Sequence, residues 1–219
     1  TTNEDWQFDL GISHERVGAA LFALGDMFGA FQAFLAKLVI IERLVQTDKK
    51  NLRWQRDLSV SHEKLGNVQL AKGDLPGALQ TYRVALAIIE RLVQLDTTNV
   101  GWQRHLSVSH EKVGNVLLAQ GDLVGALPYY EHRLAICERL ALVDATNAGW
   151  QRDLSVSLIK RAWVFEQQGD GQAALESAQA GLRITERLAA LDPSNATWRN
   201  DLSWCRGLIA RLSRLSPAA

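Results

Sequence analysis

Several residue patterns recur along this chain at one fixed spacing of 48 residues, and that repetition limits the possible folds more than any other feature. Tryptophan stands at Trp6, Trp54, Trp102, Trp150 and Trp198. Gly-Asp pairs stand at Gly25-Asp26, Gly73-Asp74, Gly121-Asp122 and Gly169-Asp170, followed by Ala30, Ala78, Ala126 and Ala174. Glu-Arg-Leu triplets begin at Glu42, Glu90, Glu138 and Glu186. A unit of this length buries its apolar face only by stacking on its neighbours, so the chain reads as a repeat protein.

Inside a unit the periodicity is helical. Trp54, Leu58, Ser61, Leu65 and Val68 form one stripe at alternating spacings of four and three. Gly73-Asp74 interrupts it, and a second helix follows with Ala78, Leu79, Tyr82, Ala85, Leu86, Ile89, Leu92 and Val93. Asp96-Thr97-Thr98-Asn99 ends that helix and supplies cap residues for the next. Each helix is about 20 residues, hence about 30 Å long. The expectation is an all-α chain of four helix pairs, at about 6–53, 54–101, 102–149 and 150–197, with a capping helix at about 198–213.

Leu65-Gly66, Ala78 and Tyr82, with Gly114, Ala126 and Tyr130 and with Gly18, Ala30 and Phe34, resemble the tetratricopeptide repeat family. His14, His62 and His110 stand where that family has Trp, and the closing Pro survives only as Pro193. The unit is also 14 residues longer than the family's 34-residue pattern, about two extra helical turns in each helix. Long-helix repeats of this kind resemble those of kinesin light chains and of many bacterial multidomain proteins. The resemblance implies a right-handed superhelical solenoid of antiparallel helix pairs, a single domain over 1–219. It also implies a protein-interaction scaffold whose concave groove, lined by the first helices, binds a peptide or a partner helix.

Carried over position by position, the groove residues are Glu63, Lys64, Asn67 and Leu70 in the second unit, with Ala71. The third unit supplies Glu111, Lys112, Asn115 and Leu118, with Ala119. The first offers Glu15, Ala19, Phe22 and Ala23, and the fourth Ile159, Trp163, Glu166 and Gln167. An Asn amide can donate and accept together, which suits a peptide backbone. Lys64 and Lys112 match a basic position of the family's chaperone-tail carboxylate clamp, whereas Glu63 and Glu111 stand where that clamp needs Lys and would repel an acidic terminus. Trp163 is either a groove anchor or packs on Trp204 of the cap.

Other motifs read as packing. The tryptophans lie in register with Leu58 and Leu65. His62-Glu63 and its copies lack the second histidine of a zinc protease helix, since Gly18, Gly66 and Gly114 occupy its place. Ser59 and Ser61, with their copies, have no base arranged beside them. No catalytic group, metal site or cofactor is expected, and the chain reads as a non-enzyme. Its 24 basic and 24 acidic residues cancel, which argues against nucleic-acid and membrane-surface partners. Cys137 and Cys205 read as packed thiols in a reducing, cytoplasmic setting.

The first unit is rich in Phe22, Met27, Phe28, Phe31 and Phe34, and Phe28 and Phe31 are candidates for self-association into a homo-oligomer. The opening Thr1-Thr2-Asn3-Glu4-Asp5-Trp6 resembles the linker Thr97 to Trp102, so the chain reads as excised from a longer protein at a repeat boundary. Two rivals to the groove follow: a structural spacer, and the regulatory arm of a protein whose catalytic domain lies elsewhere.

Overall fold

The computed structural model describes residues 4–215; Thr1 to Asn3 and the expected trailing segment Ser216-Pro217-Ala218-Ala219 lie outside the described residues. Among the described residues there are nine helices and no strand: α1 (Glu4–Ala23), α2 (Met27–Thr47), α3 (Leu52–Ala71), α4 (Leu75–Leu95), α5 (Val100–Ala119), α6 (Leu123–Val143), α7 (Ala148–Gln168), α8 (Gly171–Leu191) and α9 (Ala196–Leu215). The helix lengths, the interruption at each Gly-Asp pair and the final helix follow the spacing read from the sequence. No helix is long and apolar enough to cross a membrane.

Two corner types alternate, each closed by its own residues. At the first, Gly25, Gly73, Gly121 and Gly169 take φ of +79° to +83°, a conformation that a Cβ disfavours and that commonly terminates helices. The following Asp26, Asp74, Asp122 and Asp170 each accept a backbone N–H three residues on, from Gly29, Gly77, Gly125 and Ala173, at 2.8–3.0 Å. At the second, Asn51, Asn99, Asn147 and Asn195 accept the backbone N–H of Trp54, Trp102, Trp150 and Trp198 at 3.0–3.2 Å. In α3, α5, α7 and α9 the periodic tryptophan is thus fixed at the third helical position by the asparagine before it.

The described residues fall into two compact units that divide between Gln120 and Gly121, inside the third sequence repeat. In the first unit α1 to α5 pack in succession, α1 on α2, α2 on α3, α3 on α4 and α4 on α5. Ala30, Phe34 and Leu38 of α2 meet Leu65 and Val68 of α3, and Ile41 and Leu44 of α2 meet Phe8 of α1 and Trp54 of α3. The glycines of the Leu-Gly pattern allow close approach of an aromatic: a Cβ on Gly66 would lie 2.6 Å from the Tyr82 ring, and one on Gly18 2.7 Å from the Phe34 ring. In the second unit α6 to α9 pack in the same successive order. There Cys205, Leu208 and Leu212 of α9 join Ile159, Ala162, Ala174 and Ala178 in one core. Both cysteines are buried and neither is in a disulfide.

Departures from expectation have local causes. Trp54 is 7% exposed, but Trp6 is 75% exposed because the face that α2 covers on α3 has no helix against it on α1 among the described residues. Trp102, Trp150 and Trp198 are half-buried. Phe31 packs against the Phe34–Leu65 core with the Lys72 ammonium 5.8 Å from its ring, leaving Phe28, 72% exposed, as the open aromatic of the pair. The serines are structural. Ser59 donates to the Ala85 carbonyl at 2.9 Å, Ser155 to the Gly181 carbonyl at 3.1 Å, and Ser61 and Ser157 to the carbonyls four residues back.

Candidate functional site: the polar ladder of α3 and α5

Several of the expected groove residues, Glu63, Asn67, Lys64 and Lys112, join neighbouring first helices. Glu63 on α3 is only 9% exposed: it accepts hydrogen bonds from Ser109 Oγ at 2.6 Å and from His105 Nε2 at 2.8 Å, both on α5. Burial pushes the Glu63 carboxyl up, but the bonds from His105 and Ser109 and the nearby Lys112 charge outweigh that and hold it below the usual carboxylate range. An ionised carboxylate only accepts, so His105 carries its proton on Nε2. The side-chain preference and repulsion expected of Glu63 therefore give way to a bond between helices: its oxygens face α5. Ser109 is only 1% exposed, so its hydroxyl spends its hydrogen bond on joining the two helices.

One turn on, Asn67 Oδ1 accepts from Tyr82 Oη at 2.8 Å and from Lys112 Nζ at 2.7 Å. An ammonium has no acceptor, so the Lys112 bond assigns the amide orientation: oxygen inward, NH2 outward. The donate-and-accept role expected of Asn67 is thereby reduced to donation. Among the described residues Asn67 Nδ2 has no partner and Lys112 makes no ion pair. The Lys112 ammonium also lies 5.3 Å from the Tyr82 ring centre. Burial lowers the Lys112 pKa, partly countered by the charges of Glu63 and Glu111. Burial, with the Glu63 charge, pushes the Tyr82 phenol well above its ordinary value.

Around this centre Lys64, its side chain about one-third exposed, places Nζ 3.7 Å from Glu15 Oε1, and Leu70 is exposed. Glu111, Asn115 and Leu118 are half-buried on α5. Glu15 in turn pairs with Lys37, a wholly buried lysine on α2. Sequence reasoning missed Lys37, His105 and Ser109 as members of the ladder. The signal was present in the register: Lys37 replaces Ala85, and His105 replaces Asp57 where Glu63 comes opposite.

The second unit closes its corresponding positions by itself. Ile159 is core, and Glu166 receives two hydrogen bonds from Arg211 of α9, both 2.7 Å. Trp163 is half-buried and Trp204 is exposed; the cap docks through Cys205, Leu208 and Leu212. No group of three or more His, Cys, Asp or Glu able to hold a metal occurs among the described residues.

No protein-family model matches the chain, and no curated protein matches it in sequence. Among solved structures, that of the apo form of RapI, a protein with tetratricopeptide repeats, is similar at 11% identity and a TM-score of 0.64, over 94% of this chain and 71% of that one. That of MamA is 15% identical at a TM-score of 0.43, over 94% of this chain and 88% of that one. The nine helices of the described residues and the likeness to RapI show an all-α, tetratricopeptide-like helical-repeat fold.

Proposed function

We propose that this chain is a protein-interaction scaffold whose polar ladder on α3 and α5 receives an extended peptide segment and reads its oxygen acceptors. One observation carries the reading: Lys112 and Tyr82 occupy Asn67 Oδ1, so the amide turns two N–H donors outward with no internal partner. Lys112 adds its remaining N–H donors, and Lys64 a second ammonium. The surface offers donors for backbone carbonyls or side-chain carboxylates, with Leu70, Asn115 and Leu118 as flanking contacts. Ser109, the hydroxyl that faces the Glu63 carboxylate, is buried between the helices, which favours recognition over catalysis at this surface.

Asn67→Asp separates this reading from a purely structural one. The substitution keeps an oxygen facing Lys112 and Tyr82 but replaces the outward NH2 by a second oxygen. In a peptide-array screen the folded variant is expected to lose captured peptides by roughly tenfold or more, as a lost donor and a new repulsion are summed. Equal capture by wild type and Asn67→Asp rejects the site.

A further inference from the structure

The first helix carries a docking face whose partner the rest of the first unit does not supply. Trp6, Leu10, Ser13, Val17 and Ala20 occupy the same repeat positions as Trp54, Leu58, Ser61, Leu65 and Val68 of α3. On α3 that stripe is seated on α2, with Trp54 at 7%, Leu65 at 6% and Val68 at 0% exposure. On α1, Leu10 and Val17 are each 52% exposed and Trp6 more so. Large apolar side chains at alternating spacings of four and three, open on one helix, are the seam of a two-helix contact.

Charge selects the occupant. Asp9 and Arg16 are both exposed, stand seven residues apart on the same flank of the stripe, and neither makes an ion pair among the described residues. Their repeat equivalents do not stay idle: Lys64, at the Arg16 position, reaches back to Glu15, and Lys112 reaches back to Asn67. In an antiparallel helix pair residues on the same flank meet across the seam. A second α1 running antiparallel, with Trp6 opposite Val17 and Leu10 opposite Ser13 of the second copy, sets Asp9 against Arg16 twice. A parallel pairing would set Asp9 against His14 and Arg16 against Leu21, matching only half of the charges. The Ser13 hydroxyl, at the middle of the seam, is already satisfied by the Asp9 carbonyl at 3.0 Å.

We infer that the α1 face is an isologous interface with a second copy of this chain, formed by antiparallel α1 helices and registered by reciprocal Asp9–Arg16 pairs. Sedimentation equilibrium of the 219-residue chain across the micromolar range tests this, with Asp9→Arg and Arg16→Asp as separate variants. Both positions are exposed, so circular dichroism melting at a concentration low enough to keep wild type monomeric is expected to be unchanged and to certify the fold.

Wild type is expected to show a concentration-dependent monomer–dimer equilibrium. Each variant alone faces like charges twice and is expected to dimerise about tenfold or more weakly. A one-to-one mixture of the two variants restores both pairs and is expected to form the heterodimer. A wild type that stays monomeric overturns the inference, as do single variants that dimerise like wild type. A monomer that instead binds a synthetic peptide of the α2 sequence through this face would reassign it to a repeat-type helix and overturn it equally.

Discussion

The first two repeats share a backbone plan but fill the same buried second-helix position in opposite ways. In the second, Ala85 lets α3 and α4 approach, and Ser59 donates to its carbonyl. In the first, Lys37 fills that position, wholly buried and paired with Glu15, and Gly11 stands in place of the serine beside the lysine stem. One repeat closes with small residues and neutral hydrogen bonds, the other with a buried charge. A register position in a repeat thus fixes a volume to be filled but not the chemistry that fills it, and only the charged solution responds to pH and to loss of a partner.

The largest contrast expected between equivalent positions lies in the tryptophans. Trp54→Ala should destabilise by roughly 3–5 kcal/mol, as large core truncations do. Trp6→Ala should change the chain by less than about 0.5 kcal/mol in the monomer. Urea midpoints measured at low protein concentration compare the two, and an equal loss would mean that α1 is covered in solution. Half-buried Trp102→Ala should fall between them.

Next in size is the buried pair. Lys37→Ala leaves Glu15 without its main counter-charge and should cost about 2–3 kcal/mol, below the figure for wholly buried pairs because the Glu15 side chain is about one-quarter exposed. Lys37→Met combined with Glu15→Gln removes both charges and should recover most of that loss. If the double variant is no better than Lys37→Ala, packing rather than charge holds the site.

Gly66→Ala drives a methyl against the Tyr82 ring and should cost about 1–3 kcal/mol in thermal melts. Because that ring leads to Asn67, peptide capture should weaken with it.

The smallest effect is a pH signature. At Glu15 burial raises the pKa, but the Lys37 bond and charge, with Lys64, bring it below the ordinary carboxylate value. Its contribution to stability is therefore complete above the unfolded value and fades as pH falls through the folded one. Asp57 runs the other way: burial raises its pKa despite Lys37, so its ionised form opposes folding near neutrality, and that penalty fades as pH falls through the folded value and is gone below the unfolded one. Asp57→Asn should accordingly raise stability near neutral pH by roughly 1 kcal/mol or less, with the gain absent in acid. Paired urea titrations at the two pH values give the sign, and a gain that persists in acid rejects this account.

Much of the fold was legible in the residues because corners and stripes are local. Gly-Asp announces both a left-handed helix end and the next cap, and Asn-x-x-Trp announces the other corner. The ladder was harder to read because its bonds join residues more than forty positions apart, such as Glu63 with Ser109 and Asn67 with Lys112. Family position singled out Glu63 and Asn67, but could not tell that α5 would occupy one and orient the other. Lys37 was hidden because a basic residue in an apolar stripe ordinarily reads as solvent-facing.

The self-contained corners also bear on how such a gene can change. Asn51 caps α3 and Asp74 caps α4 with bonds that begin and end within four residues. Duplicating or deleting a whole repeat between two asparagine corners severs none of these bonds, whereas an insertion within the four residues of a corner parts a cap from its helix. Unequal recombination can therefore vary the number of repeats while each surviving junction keeps its geometry.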